Sequence, residues 1–224
     1  MNLLQKDKQN LWIVIPARQG SVGFPNKNRL LFQYTALQIP DYLKSRTIVS
    51  TDDEVLKTSA ADLGFIVVDR PPELATSTAN TRDVLSHVKN TLSIKDDDTM
   101  IMLYLTFPER HFEDVVEVYE FHKHNNSLST LCKSKVDKHP YLCLYEKDNH
   151  HGEQVVFHDL YRRQDYPTCF FVLHYVFVAV ASEIDKLNKN LYNNQTFYYP
   201  IERKIDIDEP EHFESWRSKI YGER

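Results

Sequence analysis

The chain has 224 residues, 42% of them hydrophobic, which is enough to bury one good core, as one large domain or a domain with a subdomain. A net charge of −5, with no basic stripe interleaved with aromatics, speaks against a nucleic-acid partner. Apolar runs such as 175–181 are far too short to span a membrane. The stretch MNLLQKDKQN lacks an apolar signal core, and Cys132, Cys143 and Cys169 show no close metal-ligand pair, so a reducing, cytoplasmic setting is expected.

Leu11 to Ile15 reads as a buried strand. It breaks into a loop that carries Arg18, Gly20, Ser21, Gly23, Lys27 and Asn28. Two of the five glycines of the chain fall in this loop, where average usage predicts roughly 16 in the whole chain, so the backbone itself is under demand there. Such a loop, with two fixed cations and little acidic charge, is a candidate cradle for nucleotide phosphates, and an ordinary strand-to-helix turn is the competing reading. Further strands are expected at 47–50, 65–68, 100–105, 129–132 and 175–181. Helices are expected at 53–63, stopped by Gly64, at 81–92, capped by Asn80 or Thr81, and at 113–122. In the last helix Asp208 or Glu209 serves as cap, Pro210 suits the first turn, and Phe213, Trp216 and Ile220 form the apolar stripe. Strands alternating with helices predict an α/β fold. The segment 137–166 breaks that rhythm: it is polar, rich in Tyr and His, and its pattern predicts a hairpin turn at 147–152. It is read as an arm inserted in a single domain over 1–224, acting as a lid, an interface or a decorated loop. His150 and His151 beside Gly152 fit a solvated turn better than a metal site.

The loop IPARQGSVGFPNKN resembles the N-terminal nucleotide loop of the acylneuraminate cytidylyltransferases, the CMP-sialic acid synthetases and their relatives. Further matches follow in register: IVSTDD at 48–53, RPPELATSTA at 70–79, DVLSH at 83–87, TFPER at 106–110, HPY at 139–141, RRQDYP at 162–167 and IDIDE at 205–209. Together they cover nearly the whole chain. The resemblance implies a Rossmann-like, doubly wound sheet of the nucleotide-diphospho-sugar transferase type. It also implies transfer of CMP from CTP to an acidic, nonulosonic (sialic acid-like) sugar, releasing pyrophosphate, with Mg²⁺ as cofactor. A homodimer is implied too, in which the arm reaches the neighbouring subunit's site and Tyr141, Leu142, Leu144, Val155, Val156 and Phe157 are covered.

Residue by residue, the motifs place Arg18 and Lys27 as catalytic cations on the phosphates, with Gly20, Ser21 and backbone N–H groups of 19–23 as further donors. Asn28 lies at the sugar-and-base end of the loop, and Ala17, Ser77 and Thr78 face the nucleobase and ribose. Arg162, Arg163 and Gln164 face the acidic sugar, with a surface ion network through Asp159 and Asp165 as the competing reading for the arginines. Asp206 and Asp208 alternate on a predicted short strand, which puts both carboxylates on one face, about 7 Å apart at Cα, a geometry suited to one Mg²⁺. Helix capping is the alternative for Asp208.

Some positions depart from the pattern. Val22 stands where the family has lysine, Ser77 where aspartate is common, Tyr104 and Leu105 where it has glutamine and proline, and Leu173 and His174 where it has asparagine and glycine. The stretch 28–48 is also shortened, trimming the first crossover helix. Lys133 or Lys135 is a candidate for the charge that Val22 does not supply. A second reading therefore stays open: a weakly active or inactive homologue that binds a nucleotide or sugar acid, or serves as a partner subunit. Transfer with another base or sugar class is a third.

Overall fold

Strand and helix segments alternate around one seven-stranded sheet in the computed structural model, which describes residues 2–21 and 23–222. In chain order the elements are α1 (Leu3–Lys6), β1 (Leu11–Pro16), α2 (Lys27–Ala36), α3 (Asp41–Lys44), β2 (Thr47–Thr51), α4 (Glu54–Asp62), β3 (Ile66–Asp69), α5 (Thr81–Thr91), β4 (Thr99–Met102), α6 (Phe112–His124), β5 (Ser129–Lys135), β6 (Leu144–Glu146), β7 (Gly152–Gln154), β8 (Phe170–Val180), β9 (Phe197–Pro200) and α7 (Pro210–Tyr221). The sheet order is β3-β2-β1-β4-β8-β5-β9. Only β8 runs antiparallel to its neighbours, so the carboxyl ends of β1 to β5 and β9 share one edge of the sheet.

β1 and β2, LWIVIP and TIVST, are buried at nearly every residue, as strands covered by helices on both faces must be. On one face Ile13 and Ile15 pack with Leu31 and Phe32 of α2, Val115 and Val118 of α6, and Phe213 and Trp216 of α7. On the other, Val14 and Ile48 pack with Leu85 and Val88 of α5 and with Ile184 and Leu187. Helix starts follow local chemistry. Asp53 caps α4 by accepting from the N–H groups of Val55 and Leu56, and Asn80 caps α5 by accepting from Asp83. Gly64 ends the α4 turn at φ +79°, where a side chain would be strained. Glu209, at the cap position of α7, makes no side-chain capping bond, and Pro210 opens the helix.

Several elements differ from the sequence expectation, among them β4, β8 and β9. β4 ends at Met102, and 103–105 turn away as a buried loop that Leu103 still ties to β1 through the Val14 carbonyl. β8 starts at Phe170, because its first half pairs with β5 beyond a register shift between Leu131 and Cys132. β9 is a four-residue edge strand ending in proline, too short and too exposed to carry a period-two signal.

The arm 137–166 leaves the sheet between β5 and β8. β6 and β7 pair antiparallel across a turn in which Asn149 and His150 adopt left-handed conformations. A ring cluster of His139, Tyr141, His158 and Tyr166 pins its base, with Tyr141 and His158 stacked at 4.3 Å. Beyond that cluster the arm presents apolar groups to solvent: Leu144 is 64% exposed, Phe157 91% and Tyr161 95%. Among the described residues no helix is long and apolar enough to cross a membrane, and the three cysteines form no disulfide.

Candidate active site

The loop after β1 is fastened to the end of β2. Thr51 donates its hydroxyl to the Ala17 carbonyl, and Asp52 accepts from the Gln19 N–H at 2.7 Å. Asn28 reaches back from α2 to donate to the Arg18 carbonyl at 2.8 Å, closing the loop on itself. Gly23 at φ +85° and Asn26 at φ +59° make the reversal that opens α2, and Asn26 makes no side-chain cap bond. The first turn of α2 thus faces the loop without a capping side chain, the arrangement that suits anions. Arg18 and Ser21 are half-buried and Gly20 is exposed, with the Arg18 guanidinium lying over Gly20. Val22 lies outside the described residues. One expected donor is already engaged, since the Gln19 N–H is held by Asp52.

Lys27, the first residue of α2, meets Asp208 at 3.0 Å across the mouth of the loop. Residues 201–208 bring Asp208 there by running back along the carboxyl edge of the sheet from β9 to the end of β4. This run is not the strand expected of IDID. Its one anchor at that point is the Ile207 N–H on the Thr106 carbonyl at 2.8 Å, with no second strand beside it to form a ladder. The alternation survives nonetheless, because Ile207 is fully buried while Asp206 and Asp208 flank it on the open side. Crowding by protein raises the Asp206 pKa, and the charge of Asp208 adds to this; the Thr106 bond, Lys27 and His174 oppose it. Asp206 thus shares one electrostatic environment with Lys27, Asp208 and His174.

Two buried arginines that the sequence reading did not single out for the site organise it. Arg70, 7% exposed, donates to the Ser50 carbonyl at 3.1 Å. Burial brings its pKa down to about 10, the charge of Asp52 opposes this and that of Arg18 adds to it, so Arg70 stays cationic at neutral pH beside Arg18. Arg110, in TFPER, is fully buried and donates to the carbonyls of Tyr104 and Tyr175, locking the loop after β4 onto β8. The signal for Arg70 was its place at the head of RPPELATSTA; nothing in one sequence separates it from a surface cation. Two departures from the family pattern meet each other: the rings of Tyr104 and His174 pack edge-on at 6.0 Å. Tyr104 also bonds Thr81 at 2.6 Å, and His174 bonds the Asn190 carbonyl at 3.0 Å. Leu173, a further departure, is buried in the core cluster.

The other expected residues make no described contact with this group. Ser77 and Thr78 sit in an exposed turn between β3 and α5, with a 3.3 Å contact between the hydroxyls of Thr76 and Thr78. Arg162, Arg163 and Gln164 are exposed on the arm, and Arg162 is paired with Asp165 at 2.9 Å, the ion pair that was the competing reading. Arg163 lines a small cleft at the arm base with Lys135, while Lys133 lies over the Phe170 ring at 4.6 Å, so neither lysine reaches Lys27 among the described contacts. Among the described residues no group of three His, Cys, Asp or Glu side chains gathers as for a metal held by protein alone. The Asp206 and Asp208 pair offers two hard oxygen donors, which is what Mg²⁺ takes when substrate phosphates complete its shell.

Comparison with known proteins bears on the family and the fold. No family model matches the chain. It is 30% identical over 209 residues to an N-acylneuraminate cytidylyltransferase of Streptococcus agalactiae serotype V, covering 87% of this chain and 49% of that protein. It is 31% identical over 140 residues to an 8-amino-3,8-dideoxy-manno-octulosonate cytidylyltransferase of Shewanella sp. strain ANA-3, covering 58% of this chain and 55% of that one. The chain thus spans about half the length of these curated relatives. Its fold matches a CMP:2-keto-3-deoxy-manno-octonic acid synthetase solved with CTP, at a TM-score of 0.67 and 15% identity, covering 94% of this chain and 98% of that one. A 4-diphosphocytidyl-2C-methyl-D-erythritol synthase from Anaerococcus prevotii matches at a TM-score of 0.61 and 11% identity, covering 94% and 99%. By these similarities the chain is a divergent relative of the N-acylneuraminate cytidylyltransferases, built on the Rossmann-like fold of the cytidylyltransferases.

Proposed function

We propose that the chain transfers CMP from CTP to an acidic, nonulosonic (sialic acid-like) sugar, with release of pyrophosphate. The observation that carries this reading is the meeting of Lys27 with Asp208, and with Asp206 beside them, at the mouth of the loop that follows β1. In the reaction the sugar hydroxyl oxygen bonds to the α-phosphorus as the bond from that phosphorus to the bridging oxygen breaks. Pyrophosphate leaves, and the hydroxyl proton passes to solvent.

Three cations surround the proposed triphosphate path. Arg18 and Lys27 reach it from the loop, and Arg70 lies behind, its charge preserved although buried. Arg70 is a source for the charge that Val22 does not supply, in place of Lys133 or Lys135. Ser21, Gly20 and the uncapped start of α2 add donors, which gain strength from the low local dielectric. Asn28 holds the loop in shape through the Arg18 carbonyl, and Ala17, Ser77 and Thr78 are proposed to meet the base and ribose. Asp206 and Asp208 are the pair that would hold Mg²⁺, and a crowded carboxylate beside a second one is the electrostatic condition that a cation relieves. When bound, Mg²⁺ would offset charge on the α-phosphate and the leaving pyrophosphate.

Arg162, Arg163 and Gln164 would act only on a neighbouring chain. We place the arm in a homodimer, where a second copy covers Leu144, Phe157 and Tyr161, apolar side chains that one chain leaves in water. A cytoplasmic location belongs to the same reading, in keeping with a nucleotide substrate and cysteines without disulfides. Thermal unfolding with CTP, UTP or ATP and Mg²⁺ tests the nucleotide assignment. CTP should stabilise the chain most, and preference for UTP or ATP would overturn the base reading.

A further inference from the structure

The base of the arm holds two histidines that are bonded in the same way. His139 accepts the Tyr141 N–H at Nδ1, at 3.2 Å, and reaches the Pro167 carbonyl with Nε2 at 2.8 Å. His158 accepts the Leu160 N–H at Nδ1, at 3.2 Å, and reaches the Tyr141 carbonyl with Nε2 at 2.9 Å. A backbone N–H only donates and a carbonyl only accepts, so these bonds require both rings to be neutral, with the proton on Nε2. Each ring ties its own turn to a distant limb. His139 joins the outgoing chain to the returning one 28 residues on, and His158 joins the far limb to the outgoing one 17 residues back. Tyr141 lies between them, edge-on to His139 at 4.6 Å and stacked on His158, and Tyr166 closes the group from the return limb. All four residues are half-buried, within reach of solvent protons.

A proton on Nδ1 of either ring replaces an acceptor with a donor and sets it against a backbone N–H. The turn loses its bond, and a ring that swings away from the clash releases the distant carbonyl as well. His139 shares the cleft at the arm base with Lys135, Arg163, the Cys169 thiol and Asp137, and Asp137 is already paired with Arg203. The Cys143 thiol lies on the His139 carbonyl at 3.7 Å. On the return limb Arg162 and Asp165 are taken by each other. Only the Tyr141 ring face and the exposed Asp159, next to His158, favour a cation here. We infer that the two histidines form a pH-sensitive catch for the arm. The catch is closed while both rings are neutral, and it releases when either takes up a proton as the pH falls through the range in which histidine charges. It governs how the arm presents Leu144, Phe157 and Tyr161, the apolar side chains beyond the ring cluster. The catch does not depend on the CMP-transfer reading.

Two NMR measurements on the full chain test this. Long-range ¹H–¹⁵N spectra of the imidazoles at about pH 7.5 should show His139 and His158 as neutral rings protonated at Nε2. Hydrogen exchange, corrected for the intrinsic effect of pH, should show the Tyr141 and Leu160 amides about tenfold or more less protected at about pH 5.5 than at about pH 7.5. His122 stays out of this step, since burial lowers its pKa to about 4. In the double variant His139→Gln, His158→Gln both amides should exchange fast at either pH, with no step between. Rings protonated at Nδ1 at the higher pH, rings still neutral at about pH 5, protection that holds while the rings titrate, or a step that persists in the double variant would each overturn the catch. The wild-type readings need no substitution, so they decide the matter even where the variant unfolds the arm.

Discussion

The carboxyl edge of the sheet and the arm are built in opposite ways. At the edge, every approach to Lys27 is cross-tied within the chain: Asn28 to the Arg18 carbonyl, Thr51 to the Ala17 carbonyl, Arg110 to the Tyr104 carbonyl, and Ile207 to Thr106. On the arm, Arg162 has only a neighbour three residues away, and Phe157 and Tyr161 stand in water. A site held by long-range bonds is preorganised in one chain. The outer part of the arm, beyond the ring cluster at its base, leaves its apolar groups uncovered within the chain. The proposed function follows this difference, with the nucleotide chemistry assigned to the single chain and the arm to contact between chains.

The largest expected effect falls on the edge. Lys27→Ala should lower CMP transfer by about a hundredfold or more, as loss of a positioned charge-stabilising group does, with the unfolding midpoint nearly unchanged because the Lys27–Asp208 pair is partly exposed. A loss below tenfold would show that Lys27 does not meet the phosphates. Arg110→Met strips the buried carbonyls of Tyr104 and Tyr175 of their donor, and should cost about 3 kcal/mol in urea unfolding. A cost near zero would mean that the loop after β4 is not held from β8. Asp53→Ala removes the α4 cap and leaves Arg29, now paired with it at 2.7 Å, without its partner. This should cost roughly 1–2 kcal/mol. For the arm, Phe157→Glu should halve the solution mass seen by light scattering while leaving the melting temperature of the chain in place. A variant with unchanged mass would detach the arm from dimer formation.

A smaller effect separates the core from both regions. His122 is buried against Thr130 at 3.1 Å, and burial, helped slightly by Lys123, lowers its pKa to about 4. The unfolded chain takes up this proton near pH 6.5, so stability is intact above that value and falls as the pH drops towards 4. His122→Gln should flatten this part of the stability profile, and an unchanged slope between pH 6.5 and 4 would assign it to other groups.

Much of the edge could be read in the sequence because its signals are local. The β-branched run of β1, the glycines of the following loop, Asn80 as a cap and Pro210 at the start of α7 each state their own conformation. The pairing of Lys27 with Asp208 could not be read this way, since it depends on where 181 residues of chain return. The motifs made the two neighbours only by resemblance. Arg70 and Arg110 stayed hidden for a different reason: a buried arginine is legible only once the carbonyls that accept from it are in place. The IDID run misled on structure but not on direction, because alternation about Ile207 sets which way the carboxylates face whether or not a ladder forms. The arm left its role open because apolar residues on a hairpin look the same whether they meet a partner or the solvent.

The most direct measurement is pyrophosphate release by the purified chain with CTP, Mg²⁺ and a panel of acidic sugars, run beside Asp206→Ala. The account predicts release with at least one nonulosonic acid and its loss in the variant. Absence of release with every sugar, together with no thermal stabilisation by CTP, would contradict it and leave a partner-subunit role in its place.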